Sequence, residues 1–437
     1  MQHRSRHSSA RVAVLLLGLS AAASVTSITQ YAAIYPFDVA LALVAASAAP
    51  IHNKYVRRIS LLFLFFAIYI YVVDTFIHEA EPLATLKYAG LHVLYLASFL
   101  GFFVLLRQGY WALIGVLLCL ALAYALQAAF FGTAQRGDDI GWEMGFNMAL
   151  VLVLIALACL TFEAQKWKLS LRMAIHVILT TTATATFVFA LANLDRSVAL
   201  LAFLVLAVVL FVRFAPQTIR HMIAKHPSLA VISGLAFGLA LVVGQVGLAW
   251  GGFLPPDVTR KIIDQWNHPY GYVVGARAES ISAFLVGWQY PWFGIGTSSV
   301  DVEAIKIYVD IVAPSDIENV AQYYTRAETF VPLHSMLGGA WARTGLIGLV
   351  VWSVITIFIL RASAKGLASS PSVATILLIS GSYSIYQILF EPVADRYFLG
   401  LALAAAVMIE HKIAIGSLGG VTLTRSRGLD RLHSRVE

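Results

Sequence analysis

The stretch "ISLLFLFFAIYIYVV", Ile59 to Val73, decides the fold. It carries no charge and no helix breaker, and with its flanks it approaches the ~20 residues that a helix needs to cross a bilayer. "VALLAFLVLAVVLFV", Val198 to Val212, repeats the pattern far along the chain. Of the 437 residues, 59% are hydrophobic and only 12% are charged. A soluble domain keeps roughly a quarter of its residues charged, so most of this protein's outer surface is expected to face lipid. The sequence predicts an all-α, polytopic membrane protein.

Apolar runs of spanning character lie near 12–34, 37–51, 59–77, 84–106, 110–131, 144–162, 172–193, 197–213, 228–250, 334–360, 372–390 and 396–413. The loops between them alternate in basic content. "RHSSAR", "HNKYVRR", "QKWKLSLR", "RFAPQTIRHMIAK", "RASAK" and the tail "TRSRGLDRLHSR" hold most of the lysine and arginine and few of the acids. Cytoplasmic loops are enriched in Lys and Arg. About twelve spans with both termini cytoplasmic satisfy that alternation. The formal charge of +7 is then a topology signal, and a nucleic-acid partner is not expected. The first run also fits a signal peptide, with a basic start, an apolar centre and small residues after it; its removal would leave the other spans unchanged. Cys119 and Cys159 fall inside apolar runs, where cysteine acts as a small hydrophobe rather than a disulfide or metal ligand.

The expected organisation is therefore nine spans over 1–250, a large extracytoplasmic loop at 251–333 between the ninth and tenth, three spans over 334–415, and a basic cytoplasmic tail at 416–437. The loop is too long for a plain connector and too aromatic for a disordered linker. Short helices are expected within it at Arg277–Trp288 and Val300–Val312. Loops of this kind usually carry function.

No phosphate loop, dinucleotide glycine fingerprint, helical metal-ligand pair or serine nucleophile elbow is present in the sequence. Ionisable residues near the outer ends of spans remain. They are Arg196 in "NLDRSVAL", Arg277 and Glu279 in "GARAES", His334 and Arg343 in "VPLHSMLGGAWARTGLIGL", and Asp395–Arg396 in "EPVADRYF". Each has an ordinary explanation. An arginine flanking a span can snorkel to head groups, Arg277 can pair with Glu279 at little gain if exposed, and His334 can simply start a helix after Pro332. His92 and His176 are isolated polar points within spans. As a set the residues suit a pyrophosphate head with a lipid tail: arginine forks grip phosphate oxygens bidentately, and histidine takes a proton near neutral pH. Gly338, Gly339 and Gly345 remove bulk along the helix after His334 and would let neighbours approach.

These motifs resemble the O-antigen ligase and polysaccharide polymerase superfamily of bacterial membrane glycosyltransferases. "HSMLGGAWARTG", followed by "GLIG", is similar to its histidine motif. "RSVAL", Arg196 to Leu200, matches an arginine–three–leucine motif. "GARAESISAFLVGWQYPWFGIGTSS" looks like the segment where an arginine opens a loop helix that ends in a Pro-x-x-Gly-x-Gly turn. The likeness spans roughly residues 190–398; the first half fits by hydropathy alone. Position 343 is arginine where many relatives carry an acid, and Ser335 stands where asparagine is frequent.

The resemblance implies a C-type glycosyltransferase fold in the bacterial inner membrane, with its active site facing the periplasm. The donor would be a glycan on undecaprenyl diphosphate, and the acceptor a hydroxyl of a glycan or of lipid A core, in lipopolysaccharide, exopolysaccharide or capsule synthesis. His334 would be the catalytic base, with Glu279 as its rival, and Arg196, Arg277, Arg343 and Arg396 would bind the diphosphate. Reaction with inversion, without metal or other cofactor, is implied. A protein O-oligosaccharyltransferase of the same superfamily is an alternative, as is a membrane transporter.

Overall fold

The computed structural model describes residues 18, 20, 34–47, 53–131, 140–163, 168–192, 196–226, 243–244, 246–254, 256–297, 301–312, 333, 335–369, 371–391 and 395–411. Among them the chain is helical, with no strand. In chain order the helices are α1 (Pro36–Ser47), α2 (Lys54–Phe76), α3 (Pro82–Gln108), α4 (Tyr110–Phe131), α5 (Ile140–Glu163), α6 (Leu169–Ala192), α7 (Arg196–Phe214), α8 (Gln217–Lys225), α9 (Pro256–Trp266), α10 (Tyr272–Gln289), α11 (Val302–Val312), α12 (Met336–Thr344), α13 (Leu346–Ser369), α14 (Pro371–Phe390) and α15 (Arg396–His411). The expected spans at 12–34 and 228–250 lie mostly outside the described residues.

Local chemistry sets the helix starts. Asn53 Oδ1 accepts from Tyr55 N at 2.8 Å and Val56 N at 3.3 Å, which caps α2. Pro82 opens α3, where its missing N–H costs nothing. Asp395 Oδ1 accepts from Tyr397 N at 2.8 Å and Phe398 N at 3.1 Å, so a carboxylate caps α15.

α15 is the core helix. Every residue from Tyr397 to Ile409 is buried, because α3, α13 and α14 all pack on it. Its small residues allow this: a Cβ on Gly400 would come within 2.8 Å of Ser98. A helix that is apolar all round is an interior one.

The outer helices differ. α2 buries Ile59, Phe63, Phe66, Ile70 and Val73, yet its other face exposes Leu61, Phe65, Ile68, Val72 and Phe76. α13 likewise exposes Leu346, Val350, Val354 and Ile357. Contiguous apolar stripes of this length do not face water. Among the described residues Lys54–Phe76, Pro82–Gln108, Leu346–Leu367 and Val373–Phe390 are long and apolar enough to cross a membrane; Pro36–Ala46, Tyr110–Leu126 and Ala149–Thr161 are shorter apolar helices. The protein fits the multi-pass helical membrane class.

Polar contacts gather at two ends of this bundle. At one, Lys365 Nζ lies 2.8 Å from Glu410, the Tyr55 ring packs on His411 at 5.6 Å, and Asn53 caps α2. The opposite end holds the arginines of interest.

Candidate functional site

Arg277 sits where α10 breaks: its φ of −140° and ψ of 33° are not helical. From this break its guanidinium stands over two rings of α14, 4.8 Å from the Phe390 centroid and 5.4 Å from that of Tyr386. Nη2 donates to the Tyr386 hydroxyl at 3.2 Å. Residues four apart on a helix lie on one face, so the two rings form a cradle. No carboxylate among the described residues pairs with Arg277.

The last turn of α14 collects further residues of the predicted set. Ser335 Oγ donates to Ile388 O at 3.4 Å, and Asp395 N donates to Gln387 Oε1 at 2.9 Å. The residue after His334 and the residue before Arg396 therefore meet the same helix end that holds Arg277.

Arg396 has a different environment. Its Nε lies 2.8 Å from Asp38 Oδ1, with the two side chains 11% and 1% exposed. The guanidinium also stacks on Tyr35 at 5.2 Å and Tyr397 at 5.3 Å. Tyr35 N donates to the other Asp38 oxygen at 2.8 Å, and Tyr124 donates to Asp395 Oδ2 at 2.9 Å. The charge of Arg396 is matched within the protein.

Arg343 is buried, 5.5 Å over the Tyr88 ring, within electrostatic reach of Asp74. Its surroundings revise the expectation of one span over 334–360. The chain forms α12, stops at Gly345, and begins again as α13. Gly345 has φ +70° and ψ −160°, a conformation closed to residues with a Cβ. A Cβ there would also collide with the Trp292 carbonyl. The break lets Leu346 N donate to Pro291 O at 2.8 Å, while Ile295 N and Gly296 N donate to Ala342 O and Arg343 O at 2.7 and 3.0 Å. Thus the Pro-x-x-Gly-x-Gly turn seals the end of α12. Of the three glycines read as packing sites, Gly338 lies against Ala283 and Phe284 of α10, and Gly345 instead makes the stop.

α2 fixes that turn from the other side. Asp74 accepts from Thr297 N at 3.2 Å and from the Thr297 hydroxyl. His78 Nε2 lies 3.3 Å from Phe293 O, and Tyr69 donates to Thr344 O at 3.0 Å.

Glu279 is half-buried on α10, accepting from the Tyr308 hydroxyl of α11 at 3.3 Å. Beyond the same helix, Tyr290 donates to Asp301 Oδ1 at 2.8 Å. Burial, then this bond, pushes the Tyr290 phenol up to about 12. Arg196 is the first residue of α7, and nothing is described of its side chain. His334 lies outside the described residues. Among the described residues no cluster of three or more His, Cys, Asp or Glu could hold a metal ion.

Sequence reasoning missed Asp38, Asp74 and the Tyr386–Phe390 cradle. The two acids did leave a signal, because a carboxylate within an apolar helix needs a partner. The two aromatic residues left none.

Family models, curated proteins and solved structures were compared with this chain, and none matched. The multi-pass membrane class therefore rests on the apolar helices alone.

Proposed function

We propose that the protein is a membrane glycosyltransferase of the O-antigen ligase and polysaccharide polymerase type. In this reading twelve spans and the 251–333 loop build a C-type fold in the bacterial inner membrane, and the arginine-bearing end faces the periplasm. A glycan passes from undecaprenyl diphosphate to a hydroxyl of a glycan or of lipid A core. The observation that carries the reading is Arg277, a cation held on two aromatic rings at a helix break with no acid of the described residues on it. A guanidinium so placed gives one donor to the Tyr386 hydroxyl and has others with which to meet a phosphate ligand.

The chemistry asks little more. The acceptor oxygen attacks the anomeric carbon as the bond to the diphosphate oxygen breaks, and the acceptor proton passes to a base. A diphosphate leaving group needs its charge stabilised more than it needs a proton, and fixed cations do this best where water is partly excluded. We assign that stabilisation to Arg277 with Arg196, and the proton to His334, a role worth ~10²–10⁴-fold. Glu279, tied to Tyr308, is the competing base. Arg396, matched by Asp38, and Arg343, buried over Tyr88, are assigned to holding the frame.

The test is transfer by purified protein from a defined undecaprenyl-diphosphate glycan to lipid A core, to a second lipid-linked repeat, or to a serine-bearing peptide, read by mass spectrometry. Product on either of the first two acceptors supports the reading. Product on the peptide alone assigns the protein O-glycosylation alternative, and no product on any acceptor removes the function.

A further inference from the structure

At the end of the bundle opposite the arginines, α7 stops at Phe214, and Pro216 starts the short helix α8. The stretch 213–226 holds Arg213, Arg220, Lys225 and two histidines, and no acid. Successive helical residues turn by about 100°, and α8 divides into three sectors. One faces the protein: Ile223 packs against the core, and Arg220 Nη1 donates to Val212 O at 3.4 Å. The helix as a whole lies on α13. A second sector is apolar and exposed, with Ile219 at 41% and Met222 at 49%, beside Phe214 at 70%. The third is polar and exposed, made of Gln217, Thr218, His221 and Lys225.

Two exposed sectors of opposite character fit a helix lying flat at a bilayer surface, apolar side toward the acyl chains and polar side toward water. The charge narrows the partner. The charged residues of α8 are all cations, and Arg361 of the adjacent α13, 4.0 Å from Glu410, is still 69% exposed. A free phosphate or a nucleic acid would satisfy the cations but leave Phe214, Ile219 and Met222 in water. A bilayer of anionic lipid satisfies both. We propose that α8 is an interfacial helix whose polar edge, through Lys225, binds anionic phospholipid head groups. The proposal is independent of the glycosyl-transfer reading, since it concerns the other end of the bundle and needs no donor.

The test uses the full chain in phosphatidylcholine vesicles with and without phosphatidylglycerol. A nitroxide is attached in turn to Ile219→Cys, Met222→Cys, Gln217→Cys and His221→Cys, in a background carrying Cys119→Ala and Cys159→Ala. Labels at 219 and 222 should be relaxed by oxygen, which concentrates in lipid, and labels at 217 and 221 by a water-soluble nickel chelate. Phosphatidylglycerol should raise the immobilised fraction, and Lys225→Gln should lower that gain about fivefold, the share of one cation near an anionic surface. Added salt should do the same. Should the altered background fail to fold, hydrogen exchange of the peptide 214–226 in the unmodified chain reads the same lipid dependence. Nickel access at all four positions, or a response indifferent to phosphatidylglycerol, overturns the proposal. So does a response to inorganic phosphate or an oligonucleotide equal to that given by the lipid.

Discussion

Arg396 and Asp38 form an ion pair between the first turns of α15 and α1, with 2.8 Å between Nε and Oδ1. The acid sits in the first turn of a helix of apolar character, and the base is the first residue of α15, on which α3, α13 and α14 pack. Breaking one member of a buried pair leaves the other charge uncompensated, at about 3–5 kcal/mol, while replacing both members can be nearly neutral. Arg396→Met alone should therefore unfold at markedly lower temperature in detergent than Arg396→Met with Asp38→Leu. Equal unfolding of the single and double variants would mean that the two charges do not depend on each other.

The two-ring cradle makes Arg277 a sharper test than charge alone. Arg277→Lys keeps the charge but cannot reproduce the planar fork or its stacking, and should lose most glycan transfer at normal protein level. Arg260, 3.9 Å from Asp264 in an exposed pair, should tolerate alanine with near-normal transfer. Full transfer by Arg277→Lys would take the residue out of the site.

Gly345→Ala is expected to be severe. The residue combines positive φ with a carbonyl lying where a methyl would go, and such a conformation costs a Cβ-bearing residue ~1–3 kcal/mol before the collision is counted. Gly338→Ala, whose Cβ would lie 3.1 Å from the Ala283 methyl, should cost less. Thermal unfolding of the two purified variants decides the order; the reverse ranking would show that the α12–α13 break is not fixed at Gly345.

His334→Ala should abolish transfer while leaving protein level intact. In the parent protein, the rate should rise with pH through the histidine's titration, and the variant should lose that limb. Near-normal turnover by His334→Ala, together with an inactive Glu279→Ala, would move the proton to the glutamate.

Tyr290 gives an alkaline signature for the loop. Its folded value near 12 exceeds the unfolded value of about 10, so the neutral phenol is favoured by folding. That contribution is complete below about pH 10 and is lost as pH rises toward 12. Limited proteolysis of the loop should accelerate across that window in the parent protein, and Tyr290→Phe should remove that part of the pH dependence. An unchanged profile in the variant would show that Tyr290 is not the group responsible.

Hydropathy read the long helices closely: 110–131 against Tyr110–Phe131, 372–390 against Pro371–Phe390, and 59–77 against Lys54–Phe76. These are runs whose period and length are local properties. The loop helices were also legible in position, Arg277–Trp288 falling inside Tyr272–Gln289 and Val300–Val312 covering Val302–Val312. The break at Gly345 was not, because apolarity continues through it and only the backbone angle marks the stop. Nor could the partners of the arginines be found by spacing. Asp38 lies in α1 and Arg396 in α15, at opposite ends of the helix order, and Tyr386 meets Arg277 only because α14 ends beside α10.

The stop at Gly345 also bears on how the chain enters its membrane. As one helix, the segment after Pro332 would have carried Arg343 inside the stretch offered to the insertion machinery, and an arginine near the centre of an inserting helix costs about 2.5–3.5 kcal/mol. With the stop in place, the apolar helix begins at Leu346 and is free of charge until Arg361. Arg343 belongs to α12, outside that apolar stretch, and its buried seat over Tyr88 is supplied by α3 rather than by its own helix.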